Sequence, residues 1–293
     1  MVAGRGKTIA IALGWSVLFF LLGMVLSIAF VYAIALATGL AESIQGVSPA
    51  LDKGGASVLL VTGIAQALGF GLATWLVGVR INRLTAVDLR WRAVQPRLAG
   101  FGVGVILGGV PAALALLLAA VFGGARLVSD TGSAGDYLLR ACLTPLFLAP
   151  AALSEEIMFR GAPLVLLARP MGRPAALGLT SVLFAMAHLT NPHVEPLAIA
   201  NIALAGLFLG AAFYLPGGIW TAFGAHLGWN ATLAAADAPV SGLPFTIPFI
   251  NYQPGGPDWL TGAAFGPEGG LVATVVLALG LGWAARRIAR EGT

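Results

Sequence analysis

The stretch SEEIMFRG, residues 154–161, sets two adjacent acids and an arginine inside an otherwise apolar run. A charge near the middle of a bilayer costs roughly 2.5–3.5 kcal/mol even on lenient insertion scales, so such a cluster needs compensation and reads by default as a functional site. Adjacent helix positions point about 100° apart, so Glu155 and Glu156 face differently. Glu156 and Arg160 stand one turn apart in the favoured acid-before-base order. They are expected to neutralise each other as a structural pair, which leaves Glu155 for chemistry.

Two further segments bring histidines. FAMAH puts Phe184 and His188 on one helix face, and HLGWN does the same for His226 and Asn230. Glu155 lies 14 residues before Arg169 and His188 lies 15 after Arg173. At about 1.5 Å rise per residue, both then sit roughly 21–23 Å from the same turn. Counted from Gly218, His226 and Asn230 lie about 12 and 18 Å along their helix, so one buried pocket could gather all four. A lone membrane His or Asn is more often interhelical glue worth about 0.6–2 kcal/mol; the concentration of polar groups is what favours function. Asn201 reads as a hydrogen-bonding strut before a pocket residue, and His193 in TNPHVEP as solvated.

Peptide hydrolysis would need this set: a base to activate water and donors for the oxyanion. A carboxylate in a low-dielectric pocket takes up a proton more readily than in water. Glu155 and His188 fit the water-activating roles, and His226 with Asn230 could both donate to the carbonyl oxygen. Glu155, His188 and His226 could alternatively supply the three protein ligands of a catalytic zinc. HExxH is absent, and the metal-free arrangement is preferred.

The elements that must position these groups are membrane spans. Of 293 residues 58% are hydrophobic and only 10% charged, against about 25% charged in a soluble domain. The basic residues fall between apolar runs and form no phosphate-binding stripe, so no nucleic-acid partner is expected. Cys142 is the single cysteine, which excludes an intrachain disulfide. Apolar runs near 9–37, 56–79, 99–123, 143–168, 174–189, 196–215, 218–236 and 269–285 meet or approach the length of about 20 residues that a spanning helix needs. The first is too long for a signal-peptide core and reads as an uncleaved anchor.

The expectation is an all-α polytopic membrane helix bundle of about eight transmembrane helices with the active site inside. Arginines gather at 80–97, 169–173 and 286–290, leaving Lys53 and Arg126 on the other side, so both termini are expected in the cytoplasm. That orientation puts Glu155 and His188 in the outer half of the bilayer. Gly100, Gly104 and Gly108, and Gly206 with Gly210, form small-residue stripes suited to close helix packing. The segment 237–268, rich in Pro and Gly with Phe245, Phe249, Tyr252 and Trp259, reads equally as a lid or as a surface loop.

EExxxR, FxxxH and HxxxN, in that order on separate spans, resemble the intramembrane endopeptidases of the CAAX-processing and bacteriocin-processing (Abi) family. The resemblance covers roughly residues 140–236. It implies a membrane-embedded proteolytic cavity, a membrane-associated protein or peptide as substrate, Glu155 and His188 as the water-activating pair, and His226 and Asn230 as oxyanion donors. Glu156, Arg160, Phe184 and Asn201 would support them. The chain then divides into N-terminal spans, 1–136, and a protease-like core, 137–293, whose motifs lie within 154–236 and which includes the last span. Ala, Gly and Arg bias points to a prokaryotic plasma membrane, where an outer-leaflet peptide suits the orientation better than a prenylated cytosolic protein. Two other classes compete. A proton-coupled transporter would relay protons through the same acids and histidines, but no internal repeat supports it. A non-catalytic scaffold of the same fold would not need complete motifs.

Overall fold

The apolar runs become helices almost throughout the computed structural model, which describes residues 2–52, 54–92 and 96–291. In chain order these are α1 (Val2–Ala37), α2 (Ile44–Asp52), α3 (Ala56–Ala73) continuing into a π-helix (Thr74–Ile81), α4 (Arg97–Gly123), β1 (Arg126–Ser129), α5 (Ala134–Arg160), α6 (Ala162–Met171), α7 (Arg173–Met186), α8 (Pro196–Tyr214), α9 (Ile219–Ala235), β2 (Ile250–Gln253), α10 (Asp258–Thr261) and α11 (Leu271–Glu291). Lys53, assigned to an outer segment by charge, lies outside the described residues.

All eight expected segments are helical, and the fold class is the expected all-α polytopic one. Among the described residues, six helical stretches are long and apolar enough to cross a membrane. The fifth and seventh expected spans are α7, of 14 residues, and α9, of 17. They are short against a bilayer core, so the count of eight rests on two helices below full spanning length. The fourth expected span, 143–168, is not one helix. It begins earlier, at Ala134, and breaks at Gly161, whose ψ of −129° is not helical. Pro163 explains the break: it lacks an N–H and its ring would clash with a carbonyl one turn back, so it sits in the first turn of a new helix, α6. Depths counted through 155–169 as a continuous helix are corrected accordingly.

Internal contacts divide the chain into two compact units, with boundaries after Arg92 and inside α5 and α7. The first comprises Met1–Arg92 and Leu146–Leu177. Here α1 lies along α3, with Gly23 against the Phe70 ring and Gly69 against the Ser27 backbone, and Gly63 meets the Ala151 backbone of α5. Phe19, Phe20, Phe70 and Phe159 form its aromatic core, with centroid separations of 5.5 to 6.4 Å.

The second unit comprises Ala93–Pro145 and Gly178–Thr293. Its tightest seam joins α4 to α9. A Cβ on Gly104 or Gly108 would run into the carbonyls of Thr221 and Ala225, and one on Gly224 or Gly228 would run into those of Phe101 and Val105. The α4 stripe is thus matched by small residues on α9, and the two backbones touch, as close packing in lipid requires. At the turn before α9, Gly218 takes φ 61°, a left-handed conformation natural to glycine. α8 is buried along most of its length between α9 and α11, with Gly206 against Ser181 of α7. β1 and β2 pair antiparallel, Arg126 opposite Gln253 and Ser129 opposite Ile250, which ties the 237–268 segment to the α4–α5 connection.

Candidate active site

In the first unit the last turn of α5 carries the acid cluster. Arg160 Nη1 donates to Glu156 Oε1 at 3.1 Å, with side-chain exposures of 1% and 0%. The expected i, i+4 pair is formed and fully buried. Glu155 is partly buried, and Arg160 feels its charge as well. Ser154 Oγ lies 2.7 Å from the Ala151 carbonyl and 3.2 Å from Gln66 Oε1 on α3, anchoring this turn.

In the second unit the fold gathers Phe184, His188, His226 and Asn230. α7 ends at Met186, so His188 sits in the turn just beyond the helix. Its backbone N–H bonds to the Ala185 carbonyl, a tighter three-residue closure that releases the Phe184 carbonyl. The imidazole takes up that acceptor: Nδ1 lies 2.8 Å from Phe184 O. A carbonyl only accepts, so Nδ1 carries the hydrogen, and in the neutral ring Nε2 is the lone-pair nitrogen. Phe184 packs on both histidines, its centroid 4.8 Å from His188 and 6.1 Å, edge-on, from His226. On α9, Gly224, Ala225 and Gly228 face α4, which turns His226 and Asn230 to the opposite side.

A cavity of about 40 Å³ is lined by His188, His226, Asn230, Trp229, Ser241 and Glu268, with Phe184, Ile202, Phe208, Leu209 and Leu277 as apolar wall. A water needs roughly 10–15 Å³, so the space suits a few waters among groups that can donate and accept. Asn201 behaves as the strut it was expected to be: its Nδ2 donates to the carbonyls of Glu268 and Gly270, both at 2.8 Å, and its Oδ1 accepts from Thr274 at 2.6 Å. His193 is exposed, as expected.

Sequence reasoning missed Glu268, Trp229 and Ser241. Trp229 lies within HLGWN but has no role assigned by its spacing, and Glu268 falls in the connection before the last span. Its one sequence signal is an acid in the run GPEGG immediately before an apolar helix. The 237–268 segment contributes Ser241 and Glu268 to the cavity and buries Val240, Ile247, Tyr252 and Phe265, so it covers this unit as more than a surface loop. Among the described residues, no group of three His, Cys, Asp or Glu side chains is arranged to hold a metal ion.

Fold and cavity together define a polytopic α-helical membrane protein with a small, partly polar chamber in its second unit. Residues 137–232, about a third of the chain, match a family model described as Rce1-like, Type II CAAX prenyl endopeptidase Rce1-like. This is the family that the EExxxR, FxxxH and HxxxN motifs resemble, and it is a protease family. No curated protein and no solved structure matches the chain.

Proposed function

We propose that the protein is an integral membrane endopeptidase that hydrolyses a peptide bond in a membrane-associated protein or peptide. The observation that carries this reading is the grouping of His188, His226 and Asn230 on one cavity within a segment that resembles an endopeptidase family. In this reading Glu155 and His188 activate a water: the carboxylate takes its proton, and the imidazole, with Nδ1–H committed to Phe184, orients it through Nε2. As water adds to the scissile carbonyl, His226 and Asn230 donate to the oxygen on which charge develops. A donor so aimed is worth about 2.7–4 kcal/mol. The proton held by Glu155 then passes to the leaving amine as the C–N bond breaks. Glu156 holds Arg160 and takes no part in the chemistry. Charge distribution favours cytoplasmic termini in a prokaryotic plasma membrane and a substrate reached from the outer leaflet.

The test is cleavage of a peptide library in liposomes by the wild type, Glu155→Gln and His188→Ala. Both variants are expected to lose cleavage while keeping the wild-type melting transition. Unchanged turnover in both would overturn the mechanism.

A further inference from the structure

Glu268 sits in the 3-10 turn Pro267–Gly269 ahead of α11, outside every motif named above, yet it lines the cavity shared by His188, His226 and Asn230. Both carboxylate oxygens are engaged. Oε1 accepts the Trp229 indole N–H at 2.8 Å, and Oε2 accepts the backbone N–H of Ser241. Bonds of N–H groups to an ionised acceptor are roughly twice as strong as neutral ones. Ser241 is gripped from its other end as well, its carbonyl accepting from Asn191 Nδ2 at 2.8 Å. It has φ 50°, a left-handed conformation that serine adopts only when its surroundings impose it. The turn carrying Glu268 is pinned in turn by Asn201 from α8. Trp229 directly precedes Asn230 on α9 and both line the cavity, so fixing the indole constrains the turn of α9 that presents Asn230.

We propose that Glu268 is a positioning residue of this site: its carboxylate fixes Trp229 and Ser241 as walls of the cavity that His188, His226 and Asn230 share. The predicted effect on turnover rests on the endopeptidase reading; the clamp itself does not. Substitution by glutamine leaves one carbonyl oxygen for two N–H donors and sets an NH2 group against one of them.

The experiment uses the full chain in liposomes, with amide hydrogen exchange around Ser241 read beside peptide cleavage. Glu268→Gln is expected to speed exchange of the Ser241 amide at least tenfold and to lower kcat at least tenfold with a smaller change in KM. Trp229→Phe removes the donor from the other side and keeps an aromatic ring, so it tests the same contact should Glu268→Gln fail to fold. It is expected to lower kcat in the same direction. The double variant should be no worse than the poorer single one, because both act through one contact. Ser241 exchange unchanged in Glu268→Gln, or fully additive losses of turnover, overturns the proposal. If the wild type itself cleaves no peptide, the endopeptidase reading fails, and the clamp is decided by Ser241 exchange alone.

Discussion

His188 closes the C-terminal turn of α7 by donating its Nδ1–H to the carbonyl oxygen of Phe184 at 2.8 Å, while the Phe184 ring packs against the same imidazole. The backbone bond sets the tautomer and the ring contact sets the tilt. Because the bond uses the main chain, it survives a change of side chain at 184. Phe184→Leu should therefore keep the fold and lose only the shared aromatic contact with the two histidines. Such contacts are worth about 0.5–1.5 kcal/mol, so cleavage is expected to fall up to about tenfold. Steady-state kinetics beside a melting curve check this; a wild-type rate would show that the ring does not hold the imidazoles.

Glu156→Gln leaves the Arg160 guanidinium buried and without its closest counter-charge. Removing one partner of a buried pair costs about 3–5 kcal/mol. The lower end is expected, because Arg160 also feels Glu155. Stability in detergent should drop while the remaining folded fraction still cleaves. Loss of specific activity at full stability would instead put Glu156 in the chemistry.

Gly108→Ala is expected to destabilise by about 1–3 kcal/mol through overpacking, since its Cβ would meet the Ala225 carbonyl. Displacing α9 should also lower cleavage by moving His226 and Asn230. Gly102, six residues earlier on the same helix, has nothing within 4 Å of the position its Cβ would take. Gly102→Ala should be neutral or stabilising. Equal melting temperatures for the two variants would rule out the α4–α9 seam as the cause.

Burial raises the Glu268 carboxyl above its ordinary value of 4.5, and the hydrogen bonds from Ser241 and Trp229 offset part of the rise. The folded state then binds this proton more tightly than the unfolded chain does. Stability is expected to fall as pH climbs from about 4.5 through the raised folded value and to level off above it. Burial raises Asp237 too, giving the same sign. Asp88, held low chiefly by its hydrogen bonds from Thr85, acts in the opposite sense, with stability lost as pH falls, but it is half-exposed and solvent screening keeps its contribution small. Melting temperatures between pH 4 and 7 should decline in the wild type and decline less in Glu268→Gln. Identical slopes would remove Glu268 as their source.

The metal-free mechanism predicts that cleavage survives prolonged treatment with a zinc chelator. Chelator-dependent loss that added zinc restores would replace it with a zinc site using Glu155, His188 and His226.

The legible features were local ones. Glu156 with Arg160 and Phe184 with His188 are spaced one helical turn apart, so helix geometry alone predicts that each pair meets. The break at Gly161 was legible too, since Pro163 cannot continue a helix, but hydropathy windows average across it. The two short helices were counted as full spans for the same reason: composition registers an apolar run without registering where its hydrogen-bond ladder stops.

By itself, the amino-acid sequence determined that this chain is an α-helical membrane protein with an acid pair, two histidines and an asparagine set into apolar helices, because charge cost and helical periodicity are properties of neighbouring residues. Tertiary structure decided what no periodicity encodes. It turned Trp229 and Ser241 to one carboxylate, brought Glu268 from beyond an aperiodic loop to His188 after α7 and His226 on α9, and fitted the glycines of α4 to those of α9. Those contacts depend on where the chain returns after long irregular connections, and that is set by packing over the whole unit.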